Sequence, residues 1–144
     1  MLVKEAMTSG VECTQPTATL REAAERMRDL DVGVLPVCGD DDRLAGMLTD
    51  RDIAIRAVAE GLDPAMAVVS AIMTPEVIYC YEDQDVNEAA RLMQQRQIRR
   101  LVVLNDKKRL VGVLSLGDLA VDVGDDEFAG HILEAVSEPA SPRR

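Results

Sequence analysis

The sequence predicts a mixed α/β fold, in its finer class α+β, built from two tandem β-α-β-β-α repeats. Three observations predict it. The chain aligns with itself under one gapless shift that carries Val3 onto Val69. Each half shows the same succession of helical and strand hydrophobic periods. Each half also carries the pattern Gly, two apolar residues, a hydroxyl residue, two variable residues and Asp, as GMLTDRD at 46–52 and GVLSLGD at 112–118.

The shift places Met7-Thr8 on Met73-Thr74, Val11 on Val77 and Glu22-Ala23-Ala24 on Glu88-Ala89-Ala90. It also places Met27 on Met93, Leu35 on Leu101, Val37 on Val103, Arg43-Leu44 on Arg109-Leu110 and Gly46 on Gly112. Within each repeat the elements follow in order. A short strand is predicted at Val11–Thr14 and again at Val77–Cys80. Thr19 caps a helix whose apolar positions Leu20, Ala23, Ala24, Met27 and Leu30 follow the 3.6 period, and Val86, Ala89, Ala90 and Met93 form the twin face. The apolar runs Val34–Val37 and Leu101–Leu104 give the next strand. Turns at Gly39–Asp42 and Asn105–Lys108 lead into strands at Leu44–Leu48 and Leu110–Leu114. A second helix is expected from about Asp50 to Glu60, and from Leu116 to about Val123. The domain boundaries expected are 1–64 and 65–124 for the repeats, with 125–144 as a C-terminal helix and frayed tail. A unit this small buries a core poorly alone, so the two copies are expected to pack together by their sheets.

Composition limits the function. The chain has 144 residues, 47% of them hydrophobic, but aromatics are only 2% and Trp is absent. The core must therefore be aliphatic, with Met27 and Met93 as filler. A net charge of −10 and a pI near 4.5 argue against a nucleic-acid surface or an anionic membrane surface. The acidic clusters Asp40-Asp41-Asp42 and Asp125-Asp126-Glu127 are expected to be solvated. No apolar run approaches a membrane span and the N-terminus lacks a signal-peptide core, which points to a cytoplasmic protein. His131 is the single histidine and the three cysteines lack metal-ligand spacing, so no metal site, catalytic residue or enzyme activity is expected.

The repeated pattern supports two interpretations. Thr49 with Asp52, and Ser115 with Asp118, can form a capping box with Asp replacing the usual Glu or Gln. Gly46 and Gly112 would then simply let the strand approach a neighbour. The same parts also suit a nucleotide. Free N–H groups and a hydroxyl at a helix start favour phosphate, and an Asp one turn inside can accept two hydrogen bonds from a ribose diol. Apolar residues of adjacent strands would cover the base.

The duplicated β-α-β-β-α unit with G-h-h-[ST]-x-x-D resembles a pair of cystathionine-β-synthase (CBS) domains, over residues 3 to about 122. The stretch CGDDDRLAGMLTDRDIAIRAVAEGLDP is closely similar to the stand-alone bacterial hypoxic-response members of that superfamily. The resemblance implies two repeats related by a pseudo-twofold axis, clefts between them that take an adenine nucleotide of the AMP, ADP or ATP type, and assembly into a homodimer. It gives Asp52 and Asp118 the ribose, and Thr49 and Ser115 the phosphate. Val11 and Val77 would present backbone to adenine, with Val34 and Pro36 on the wall. Arg51 is a candidate phosphate partner with no charged equivalent at Gly117, which makes the two clefts unequal. In the second repeat Arg99 and Arg100 stand beside the cleft, and Val102 occupies the position where the family usually has Pro. The implied role is a non-enzymatic regulator in hypoxic or energy stress that works through a protein effector. The alternative is a ligand-independent dimeric stress protein acting through protein contacts.

The cysteines add one expectation from geometry. A strand–helix–strand crossover makes the strands of Cys13 and Cys38 parallel neighbours with both residues at the same ends, so a disulfide between them is possible. Cys80 has no evident partner.

Overall fold

A computed structural model describes residues 1–122, the last two by their backbone alone. The expectations for 125–144, including the additional helix and His131, lie outside the described residues. The fold is α+β, and its elements are α1 (Val3–Ala6), β1 (Thr8–Ser9), α2 (Leu20–Leu30), β2 (Val34–Cys38) and β3 (Leu44–Thr49). A helical turn α3 (Asp50–Asp52) then runs on as a π-helix over Ile53–Val58. The second repeat supplies β4 (Tyr79–Tyr81), α4 (Val86–Arg96), β5 (Arg100–Leu104), β6 (Leu110–Ser115) and α5 (Leu116–Asp122).

The contacts divide the chain into two compact units that do not coincide with contiguous repeats. One unit gathers Met1–Val11 with Ile78–Lys107 and the described residues from Val111 onward; the other gathers Glu12–Val77 with Lys108–Leu110. The division 1–64 and 65–124 thus follows the duplication, whereas the packing exchanges a segment. In the first unit the strand order is β1-β6-β5-β4, with Thr8 and Ser9 antiparallel to Val113 and Gly112 and with β4 parallel to β5. In the second unit β2 and β3 form an antiparallel pair, and Met47 bridges Thr74. The exchange is symmetric: Leu2 bridges Asp85 ahead of α4, and Val68 bridges Thr19 ahead of α2.

Each unit has its own aliphatic core. Val3 and Ala6 join Val86, Ala89, Ala90, Met93, Leu101, Val103, Leu114 and Leu119 in one. Val69 and Ile72 join Leu20, Ala23, Met27, Leu35, Val37 and Leu48 in the other. The amphipathic helices are why: α4 buries Val86, Ala89, Ala90 and Met93 as the 3.6 period predicts. In α2 the buried stripe is narrower, and Ala24 and Leu30 are exposed. Both helices begin at side-chain caps, Thr19 accepting from Glu22 N–H and Asp85 from Asn87 N–H. Both end on a left-handed residue, Asp31 and Gln97.

The strand expected at Val11–Thr14 is reduced to a single parallel bridge between Thr14 and Val37. Only Thr14 reaches β2, donating to Pro36 O and accepting from Cys38 N–H, both at 2.9 Å. The twin segment pairs over three residues, Tyr79–Tyr81, against Val102–Leu104. No described helix is long and apolar enough to cross a membrane.

Candidate functional site

The repeated pattern builds the same local device in each unit. In β3 the alternation buries Gly46 and Leu48 and leaves Thr49 half-buried at the strand end. The chain turns into α3 there, and the turn is closed twice: Thr49 Oγ1 accepts from Asp52 N–H at 3.0 Å, and Asp52 Oδ2 accepts from Thr49 N–H at 3.0 Å. Ser115 and Asp118 repeat this at 3.0 and 2.9 Å. In both cases Oδ2 is committed to the backbone, and Oδ1 makes no hydrogen bond with the described residues.

A backbone bond ties each cap to the strand beside it. Asp50 N–H donates to Gly33 O at 2.9 Å, and Leu116 N–H donates to Arg99 O at 2.9 Å. This brings Thr49, Asp52, Val34 and buried Pro36 to one end of the β2–β3 pair, with Val34 opposite Thr49 and Pro36 opposite Met47. Ser115 and Asp118 lie correspondingly near Arg99 and Arg100, both exposed, with Val102 buried where Pro36 stands in the first repeat. Arg51 is exposed and points to no described partner; only its N–H is bonded, to Asp50 Oδ1. Val11 and Val77 are half-buried, and each is the last residue of an exchanged segment. Val11 therefore groups with the second repeat's unit, and Val77 with the first's.

The repeats differ in residues that the pattern does not specify. Asp50 lies over Gly33, whose absent Cβ would stand 2.9 Å from Asp50 Oδ2. Leu116 and Arg99 replace that pair in the second repeat. Sequence reasoning singled out neither Asp50 nor the aromatic pair Tyr79–Tyr81, whose rings meet edge to face with centroids 5.6 Å apart. The signal for the tyrosines was present in the composition, since a chain this poor in aromatics places both of them on one short strand.

All three cysteines are thiols, Cys13 half-buried and Cys38 and Cys80 buried. Burial first, then the charge and hydrogen bond of neighbouring Cys13 and the charge of Asp42, push the Cys38 thiol up to about 12. Burial alone pushes Cys80 up to about 11. Cys13 and Cys38 are thus close neighbours. Among the described residues no three His, Cys, Asp or Glu side chains group as metal ligands.

The family model described as the CBS domain matches residues 3–58 and again 69–124. The chain belongs to the CBS-domain family. Its two CBS domains are 42% identical over 117 residues to hypoxic response protein 1 of Mycobacterium tuberculosis, covering 81% of each chain. Among solved structures, hypoxic response protein I with two coordinated zinc ions has a TM-score of 0.74 at 41% identity, covering 83% of this chain and 97% of that one. CBSX2 in complex with AMP gives 0.72 at 25% identity, over 86% and 98%. The CBS domain pair of MJ0100 with 5-methylthioadenosine and S-adenosyl-L-methionine gives 0.71 at 27% identity, over 86% and 100%.

Proposed function

We propose that this CBS-pair protein is a non-enzymatic cytoplasmic sensor of an adenine nucleotide of the AMP, ADP or ATP type. The observation that carries the reading is the doubled cap. Thr49 with Asp52 and Ser115 with Asp118 each hold a carboxylate rigidly by one oxygen and leave the other oxygen to accept from a ribose hydroxyl. The nucleotide in the CBSX2 structure and the adenosyl compounds in the MJ0100 structure support the ligand class. The output would pass to a protein effector from a homodimer in hypoxic or energy stress, the hypoxic setting being the one that the relative's name prints.

The test is a thermal-shift screen against AMP, ADP, ATP, NAD and S-adenosylmethionine, followed by calorimetry. An adenine nucleotide at a hundred times its Kd should stabilise the fold by about 2.7 kcal/mol. A flat response to all five removes the reading.

A second reading is favoured by one observation. Beyond the first cap Ile55, Val58 and Met66 are 53%, 68% and 76% exposed. Apolar residues so placed suit a protein contact, and a ligand-independent homodimer would use them without any nucleotide. Thermal melts with and without the nucleotides separate the two, because the ligand-independent homodimer predicts no nucleotide-dependent change in stability.

A further inference from the structure

We propose that Tyr79 is the stacking platform for the nucleobase, and that the second repeat rather than the first holds the purine. The inference rests on the nucleotide reading above and names the residue and the repeat that would carry it.

Tyr79 is an expensive residue to leave where it is. The chain holds two tyrosines and one phenylalanine, and neither core cluster of the described residues includes a tyrosine. Tyr79 is 37% exposed although it sits in a strand whose next residue, Cys80, is 2% exposed. Alternation along β4 sends Cys80 into the core and places Tyr79 and Tyr81 together on the opposite face. The parallel register sets Tyr79 beside Val102 and Tyr81 beside Leu104 on β5. The edge-to-face contact with Tyr81, at 87° between the ring planes, fixes the Tyr79 ring before any ligand arrives. A stacking surface ordered in advance costs little entropy on binding.

The ring also lies at the right end of the sheet. Strands β6 and β4 flank β5, so the Ser115 end of β6 and Tyr79 are two strand spacings apart, about 10 Å. The bond from Leu116 N–H to Arg99 O brings the cap to the start of β5, and Tyr79 pairs only two residues further along it. Arg100 shares the Val102 face of β5 by the same alternation and supplies an exposed cation. Base, ribose and phosphate thus each find a matching group: Tyr79, Asp118 and Arg100. In the first repeat Cys13 replaces Tyr79 and Val34 replaces Arg100, and the Asp50 carboxylate lies over Gly33. That end of the sheet has no ring to stack on, and its carboxylate repels phosphate.

The test is calorimetric titration of the full chain with AMP and with ribose 5-phosphate, which lacks the base. Tyr79→Ala should weaken AMP roughly tenfold, the range expected when an aromatic partner of a base is lost. Tyr79→Leu, which keeps the apolar bulk and guards against a folding defect, should weaken it comparably. Tyr79→Phe should match wild type. None of the three should change ribose 5-phosphate binding, and Cys13→Ala should leave AMP affinity unchanged. In Tyr81→Phe the emission of the remaining tyrosine should be quenched by AMP, with no Trp to mask it. If wild type binds AMP and Tyr79→Ala and Tyr79→Leu bind it equally well, this inference is overturned while the nucleotide reading stands. If wild type binds no nucleotide, both are.

Discussion

The carbonyl oxygen of Thr8 lies 2.6 Å from the point where a Cβ on Gly112 would stand, with Met7 Sδ at 2.7 Å. Thr74 O and Met73 Sδ occupy the same places over Gly46, at 2.7 and 3.0 Å. The glycine of the repeated pattern is therefore the seat for the Met-Thr dipeptide of the exchanged segment. Met47 and Thr74 lock one seat with two backbone bonds of 2.9 Å.

Gly112→Ala and Gly46→Ala should each destabilise the protein by about 1–3 kcal/mol, because the obstructing atom is a paired backbone oxygen that cannot swing aside. Urea melts check this. Gly117→Ala is the control: its nearest neighbour stands at 3.6 Å and its φ requires no glycine, so it should be within about 0.5 kcal/mol of wild type.

Asp52→Ala and Asp118→Ala each remove the carboxylate half of a reciprocal cap, leaving the Thr49 or Ser115 hydroxyl oxygen to accept from the backbone N–H, and should each cost about 1 kcal/mol of stability. Asp52→Asn and Asp118→Asn keep an acceptor for the Thr49 or Ser115 N–H and should recover most of that loss. Nucleotide affinity should separate from stability. Losing charged acceptors for a diol is worth roughly 1.5–3 kcal/mol, so binding to Asp118→Ala should fall tenfold or more. Calorimetry beside thermal melts of the four variants gives both quantities, and affinity unchanged in all four would reduce the pattern to a helix start.

Cys13 and Cys38 should form a disulfide when treated with diamide, which takes up the two electrons and two protons released by the thiols. Closing the loop between them should add roughly 3 kcal/mol. Non-reducing peptide mapping should recover the linked pair, and Cys80 should remain a thiol. Both cysteines fully alkylatable after diamide would refute the bridge.

Alkaline pH should weaken the fold. Cys38 and Cys80 have folded values of about 12 and about 11 against 9.0 for the free thiol. Between those limits the unfolded chain releases protons that the folded chain retains, so the stabilising contribution is complete below pH 9 and declines as pH rises through the folded values. The slope is at most about 1.4 kcal/mol per pH unit for each thiol. Urea midpoints from pH 8 to 10.5 should fall, and Cys80→Ala should fall less steeply. A midpoint that rises across this range would contradict the burial of these thiols.

The duplication, the helices and the caps were legible because each is local. Gly46 and Gly112, or Thr49 with Asp52 and Ser115 with Asp118, carry their signal within a few residues. The exchange of segments was not, and the reason is the duplication itself. Met7-Thr8 and Met73-Thr74 are identical, as are the glycines they rest on, so the pattern fits pairing within a repeat and across repeats equally well. The strand expected at Val11–Thr14 failed because its apolar content says nothing about partners, and only Thr14 reaches β2. In the candidate site, Asp52 and Asp118 were visible through their repeat. Tyr79 was not, because the alignment sets it against Cys13 and a position that differs between copies gives no repeat signal.

The exchanged segment also sets an order in time. Thr8 leaves the ribosome well before the strand residue it pairs with, Val113. Until then the unit of the second repeat lacks Val3 and Ala6 from its core. The first repeat likewise lacks Val69 and Ile72 until the chain has passed the link at Gly61–Pro64. Contacts of such sequence separation are slow to close. Thr8 and Ser9 must stay unpaired until Val113 and Gly112 are made, and a nascent chain stalled between the repeats would present an unfilled seat at Gly46 to any other copy nearby that carries a free Met-Thr segment.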